Sequence, residues 1–189
     1  MADTMTPGAR RVLDAAADLF YERGIHAVGV DTIAAAAGVT KKTLYDRFGS
    51  KDALVVAYLR ERDERWRMLL EERLRRSTAA PAERILLVFD AAEDWMTARG
   101  SRGCSAINAR AEVPDPEHPI AVEVSRQKAG LLEVLHSLAT EAGVADAGQL
   151  ARMLLLVLDG AFASTGVQTM ASPFSTARAA AAILVAAAG

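Results

Sequence analysis

The chain has 189 residues, of which 51% are apolar and 24% charged, with a formal net charge of −2. This composition excludes a disordered acidic or basic tail protein. A near-neutral balance gives no bulk attraction to nucleic acid, so any DNA binding must come from a local basic patch. The length suits one large core or two small ones. Cys104 is the only cysteine, so no intrachain disulfide can form, and a reducing compartment, the cytoplasm, is expected. Met1 to Ala9 is polar without an apolar signal region, and the apolar runs Met153–Leu158 and Ala179–Ala188 are too short to span a bilayer. No membrane partner is expected.

Helix periodicity runs through almost every segment, and no alternating β-branched run is long enough for a strand. The expected class is all-α with about nine helices. The first covers Pro7 to Arg23, with Val12, Ala15, Ala16, Leu19 and Phe20 on one face. Gly24 closes it, and Ile25 falls where it can touch Phe20. The second is a short helix, Val30 to Ala37, facing inward through Ile33 and Ala34 and ending at Gly38. Thr40 caps the third, which runs to Phe48 and buries Leu44 and Phe48. Ser50 caps a long fourth helix to Arg76. On it Glu61 with Arg65, Asp63 with Arg67, Glu71 with Arg75 and Glu72 with Arg76 stand in the favourable acid-first order.

Ser77 to Pro81 is the best boundary, because Pro81 can start a helix but not continue one. The sequence predicts helix five over Pro81–Ala98, a turn at Gly100–Gly103 and helix six over Cys104–Glu112. Pro114, Pro116 and Pro119 interrupt regular structure. Helix seven then covers Pro119–Ala142, helix eight Gly148–Met170 and helix nine Ser175–Ala188.

The second and third helices, joined tightly at Gly38, form a helix-turn-helix whose second rod fits a DNA major groove. Its exposed face carries Lys41, Lys42, Thr43, Tyr45, Asp46 and Arg47, which is the local basic patch that the net charge demands. Lysine and arginine suit guanine acceptors or phosphates, threonine a base edge or thymine methyl, and tyrosine a phosphate. Lys51 and the first free N–H groups of helix four add a phosphate clamp.

The run Ile33-Ala34-x-x-Ala37-Gly38-Val39-Thr40-x-x-Thr43-Leu44-Tyr45-x-x-Phe48-x-Ser50-Lys51-x-x-Leu54 resembles the signature of the TetR family of transcriptional regulators. It covers the first quarter of the chain, and the later helix count and order are similar to that family's effector and dimer domain. The resemblance implies a repressor that leaves its operator when a small molecule binds between the later helices. It also implies base contacts from Thr43 and Lys42 and phosphate contacts from Tyr45, Thr40, Lys51 and Lys41. Residues 1–50 are then the DNA-binding head, 50–76 a connecting helix, and 77–189 the effector-binding and dimerisation domain. Two positions depart from the pattern. Gly29 replaces a hydroxyl-bearing cap, and Asp46 stands where a neutral or basic residue is usual. Its carboxylate could accept from cytosine N4 or pair with Lys42, and pairing is preferred.

Met153 to Leu158 makes helix eight apolar all round, so it needs cover on both sides, and a second subunit most simply supplies one of them. Small residues Gly160, Ala163 and Gly166, with the alanines of helix nine, allow close helix approach. Leu155, Leu158, Phe162, Gly166 and Ile183 are the expected dimer residues. Two-fold recognition helices about 34 Å apart would read a near-palindromic operator. The effector pocket is expected among Phe89, Trp95, Met96, Cys104, Ile107, Asn108 and Phe162, an apolar set with one amide.

Cys104 beside Arg102 has a weak case as a redox sensor and is more simply a small buried hydrophobe. His118 with Asp115 and Glu117 lacks a metal-ligand spacing, and His26 and His136 are surface or capping residues. No metal or cofactor is expected. Nucleophile–base arrangements and glycine-rich phosphate loops are missing too, so the chain is not expected to be an enzyme. A helical interaction protein that has lost DNA binding is the alternative, which Asp46 and Gly29 permit.

Overall fold

The structure is a computed structural model and describes residues 5–100 and 102–189. Met1–Thr4 of the polar N-terminus and Ser101 of the expected turn lie outside the described residues. Those residues form nine helices and no strand: α1 (Pro7–Arg23), α2 (Val30–Ala37), α3 (Lys41–Phe48), α4 (Lys51–Arg76), α5 (Pro81–Arg99), α6 (Ser105–Glu112), α7 (Pro119–Glu141), α8 (Ala147–Ala163) and α9 (Pro173–Ala188). Among them no helix is long and apolar enough to cross a membrane.

Two compact units emerge, residues 1–63 with 105–125, and residues 64–104 with 126–189. The chain leaves α4 at the expected Ser77–Pro81 boundary, but the units divide elsewhere. Residues 105–125, which carry α6 and the start of α7, group with the N-terminal head. Contacts between residues far apart in sequence, such as that of Glu112 described below, produce this grouping, and no local signal marks it.

In the first unit α1 packs on both α2 and α3. Local chemistry sets each junction. The Thr6 hydroxyl accepts from the Ala9 N–H at 3.3 Å and caps α1. Gly38, at φ 62° and ψ 41°, sits in the left-handed region and lets its own N–H and that of Val39 close on the carbonyls of Ala35 and Ala34. Val12, Ala16, Phe20, Ile33, Leu44, Leu54 and Tyr58 are buried together in this unit's core, with the Phe20 and Tyr58 ring centroids 5.9 Å apart. Burying each large apolar side chain contributes about 1.5–3 kcal/mol. Leu44 is buried as expected, whereas Phe48 is only half-buried, because it lies on the last turn of α3 before Gly49 ends the helix.

Leu150, Leu154 and Leu158 of α8 form a buried i, i+4, i+8 stripe in the second unit. α9 packs against α8 and α5, with Phe162 and Phe174 rings edge to face at 5.1 Å. α8 ends at Ala163, seven residues before the expected Met170. The Thr165 hydroxyl donates to the Ala161 carbonyl at 3.1 Å, and Gly166 takes φ 82°, so the chain turns there. Gly166 therefore belongs to the α8–α9 turn and not to a helical small-residue line.

The charge pairs of α4 combine neighbours along the helix with partners on other elements. Glu72 reaches Arg76 at 2.5 Å as expected, and it also binds Arg75. Glu61 also pairs with Arg10 of α1 at 2.8 Å, and Arg67 lies 3.6 Å from Glu71, four residues on.

Candidate nucleic-acid interface

α3 is eight residues long, about 12 Å at 1.5 Å per residue, close to the width of a DNA major groove. Leu44 anchors it to the core, while Thr40, Lys41, Lys42, Thr43, Tyr45, Asp46 and Arg47 are all exposed. Tyr45 is a large side chain left 43% accessible, where burial would be the usual outcome for so much ring surface. The structure thus brings six of the seven expected DNA-contacting residues onto one helix and its cap. The seventh, Lys51, is the half-buried first residue of α4, whose N-terminus is capped by the Ser50 hydroxyl accepting from the Ala53 N–H at 3.0 Å.

The polar groups of this face are organised in advance. Thr40 Oγ1 accepts from the Thr43 N–H at 3.1 Å and lies 3.0 Å from Thr43 Oγ1. Lys42 Nζ donates to Asp46 Oδ2 at 2.5 Å, so pairing is the arrangement that Asp46 adopts. Lys41 Nζ sits 2.6 Å from Asp31 Oδ1 at the start of α2, a partner that the sequence reading missed because no fixed spacing joins the two helices. Gly29 caps α2 without a side-chain hydrogen bond, as expected for that departure.

A second unpredicted feature holds the turn between α1 and α2. Glu112, at the end of α6, accepts from the Ile25 N–H at 2.8 Å and the His26 N–H at 2.7 Å, and its Oε2 lies 3.0 Å from His26 Nδ1. Burial pushes the Glu112 carboxyl up, but the two backbone donors and the His26 ring outweigh it and hold the group below the ordinary carboxylate range. Gly24 takes φ 86°, a conformation that strains any other residue, and a Cβ there would press on Glu112 Oε1 at 3.1 Å. In the same unit Arg60 Nε donates at 3.0 Å to the buried carboxylate of Glu123.

The expected effector residues are less united. Phe89, Trp95, Met96 and Phe162 are buried in the second unit, with Trp95 packed edge-on to Trp66 at 5.9 Å. Cys104 is half-buried just before α6. Ile107 and the exposed Asn108 belong to α6 in the first unit, where Asn108 borders a cleft of only about 10 Å³ with Tyr21 and Tyr58. Two grooves of the second unit are open to solvent. One of about 460 Å³ runs between Met96, Thr97 and the Thr165–Phe174 turn, and one of about 480 Å³ is floored by Leu69 and Leu87.

Of the expected dimer residues, Leu158 and Phe162 are buried within their own chain, Leu155 is half-buried and Ile183 is exposed. Leu156, not singled out by pattern, is 72% accessible, and Ile183 70%. His118 Nδ1 accepts from the Ile120 N–H at 3.3 Å and its Nε2 lies 3.3 Å from Asp52 Oδ2, which gives that histidine a capping role.

A three-helix head with an exposed, basic third helix is the arrangement of helix-turn-helix regulators. The family model described as bacterial regulatory proteins, tetR family, matches residues 12–58. A solved TetR-family transcriptional regulator from Streptomyces coelicolor is 32% identical and superposes with a TM-score of 0.89 over 96% of each chain. The transcriptional activator FasR of Mycolicibacterium smegmatis is 32% identical over 117 residues, 62% of this chain and 52% of FasR. The transcriptional repressor KstR2 of Rhodococcus jostii is 47% identical over 60 residues, 31% of this chain and 29% of KstR2. The match spans about half of FasR and less than a third of KstR2. With that identity and end-to-end coverage of a solved member, the chain belongs to the TetR family, a family of regulators and not of enzymes.

Proposed function

We propose that this protein is a sequence-specific DNA-binding transcriptional regulator of the cytoplasm, a repressor that leaves a near-palindromic operator when a small apolar molecule binds. The observation that carries the reading is the face of α3. Thr40, Lys41, Lys42, Thr43, Tyr45 and Arg47 are all exposed there while the buried Leu44 and the half-buried Phe48 face the core. Thr43 and Lys42 read base edges, and Tyr45, Thr40, Lys41, Arg47 and Lys51 hold phosphates.

Two heads are needed to read two half-sites, and α8 and α9 each leave a large apolar side chain in solvent, Leu156 and Ile183. A homodimer that covers them buries apolar surface and places two recognition helices about 34 Å apart. An effector must bind one separation of the heads better than the other, since equal affinity shifts nothing. Phe89, Trp95, Met96, Cys104 and Phe162 in the second unit are the residues offered for that pocket.

Selection of bound duplexes from a random pool tests the reading. The expected product is a near-palindrome with half-sites one helical turn, or a multiple of it, apart. Equal retention of selected and scrambled duplexes across salt concentrations overturns it. That outcome instead supports a helical interaction protein of the same fold, a reading favoured by one observation: Asp31 and Asp46 already neutralise Lys41 and Lys42.

A further inference from the structure

Asp46 is the one carboxylate on the exposed face of α3, and nothing in the fold requires it. It is exposed, as is Lys42, its partner at i−4. An exposed pair in lysine-first order adds little to helix stability. A carboxylate on a surface that meets phosphates weakens binding to any duplex unless it finds a donor there.

An ionised carboxylate only accepts hydrogen bonds. In the major groove guanine N7 and O6 and thymine O4 accept, adenine offers a donor beside an acceptor, and cytosine offers its N4 donor alone. The ends of Lys42 and Asp46 stand 2.5 Å apart, donor beside acceptor. In a G·C pair guanine O6 and cytosine N4 also stand side by side, joined by a hydrogen bond of about 2.9 Å. The side-chain pair and the base-pair edge are therefore matched in spacing and opposite in polarity. Lys42 can donate to guanine while Asp46 accepts from cytosine, without the two separating.

We propose that the Lys42–Asp46 pair reads one G·C base pair in each half-site as a unit, with Asp46 the residue that fixes the cytosine and disfavours duplexes lacking it. The inference rests on the proposed DNA-binding function and assigns a specificity within it. Facing guanine or thymine, the carboxylate meets only acceptors and is repelled, so discrimination comes as much from exclusion as from attraction.

The test is selection from a random pool with the full chain and with Asp46→Ala, followed by binding to the recovered site and to versions changed at single base pairs. The full chain should recover a fixed G·C pair in each half-site and bind it about ten-fold tighter than A·T at that position. Asp46→Ala should recover the rest of the motif, show less than about three-fold preference at that pair, and bind scrambled duplex more tightly than the parent. An unchanged preference at every position in Asp46→Ala overturns the inference and leaves the DNA-binding reading standing. Loss of the whole motif in that variant also overturns it, because a residue that reads one pair leaves the others intact. If the full chain recovers no motif, the inference and the proposed function fall together.

Discussion

Thr43 and Tyr45 leave α3 two positions apart, yet they offer a duplex different chemistry. The Thr43 hydroxyl is held against Thr40 and presents a short group suited to a base edge. Tyr45 carries its hydroxyl on a half-exposed ring that reaches outward. Phosphate contacts carry no sequence information, so Tyr45→Phe should lower affinity about five-fold on selected and scrambled duplexes alike, the value of about one hydrogen bond. Thr43→Ala should change which sequences are recovered. Fluorescence anisotropy on both duplex types checks the pair of expectations, and equal losses for Thr43→Ala on both would remove its base-reading role. These residues were legible in the sequence because Leu44 and Phe48, four apart, mark the inward side of their short helix, which leaves Thr43 and Tyr45 facing out.

α6 shows what helical periodicity does not reveal. Its boundaries and small buried residues, Ala106 and Ala109, follow from local pattern, but Glu112 acts on a turn 87 residues away in sequence. Glu112→Ala leaves two backbone N–H groups without their acceptor, a cost of about 1–3 kcal/mol, equivalent to a drop in Tm of roughly 2–4 °C per kcal/mol for a chain of this size. The pH dependence has a definite sign. The folded carboxyl titrates below its unfolded value, so its contribution is complete above the ordinary carboxylate range and is lost as pH falls through the lowered value. Thermal unfolding of parent and variant should differ most at neutral pH and converge in acid, and a gap that persists in acid would show that the carboxylate charge is not its source. α8 makes the complementary point, since its apolar run reads as continuing while Thr165 and Gly166 end it.

At the scale of the whole molecule, the two most exposed large apolar side chains among the described residues lie on α8 and α9, ahead of Met68 on α4 and Val122 on α7. Leu158 and Phe162 are satisfied within their own chain, so on α8 and α9 the large side chains left for a partner to cover are Leu156 and Ile183. Burial of each stabilises by about 1.5–3 kcal/mol, and two-fold symmetry counts it twice, so Ile183→Glu should raise the dimer Kd by roughly 10²–10⁴-fold. Sedimentation at micromolar concentration should show a dimer for the parent and a monomer for the variant. A parent that sediments as a monomer overturns the dimer, and with it the spacing of the two reading heads.

The sequence by itself determined the all-α class, nearly all of the helix boundaries and the exposed face of α3. Each of these rests on local physics: a 3.6-residue apolar period, caps such as Thr6 and Thr40, and left-handed glycines such as Gly38. Tertiary structure alone decided which residues group with the head, where Glu61 and Lys41 find their partners, and which leucines of α8 are already covered. Those outcomes depend on contacts between segments far apart in the chain. Spacing along one helix constrains its own face, but it carries no information about which distant side chain comes to rest against it.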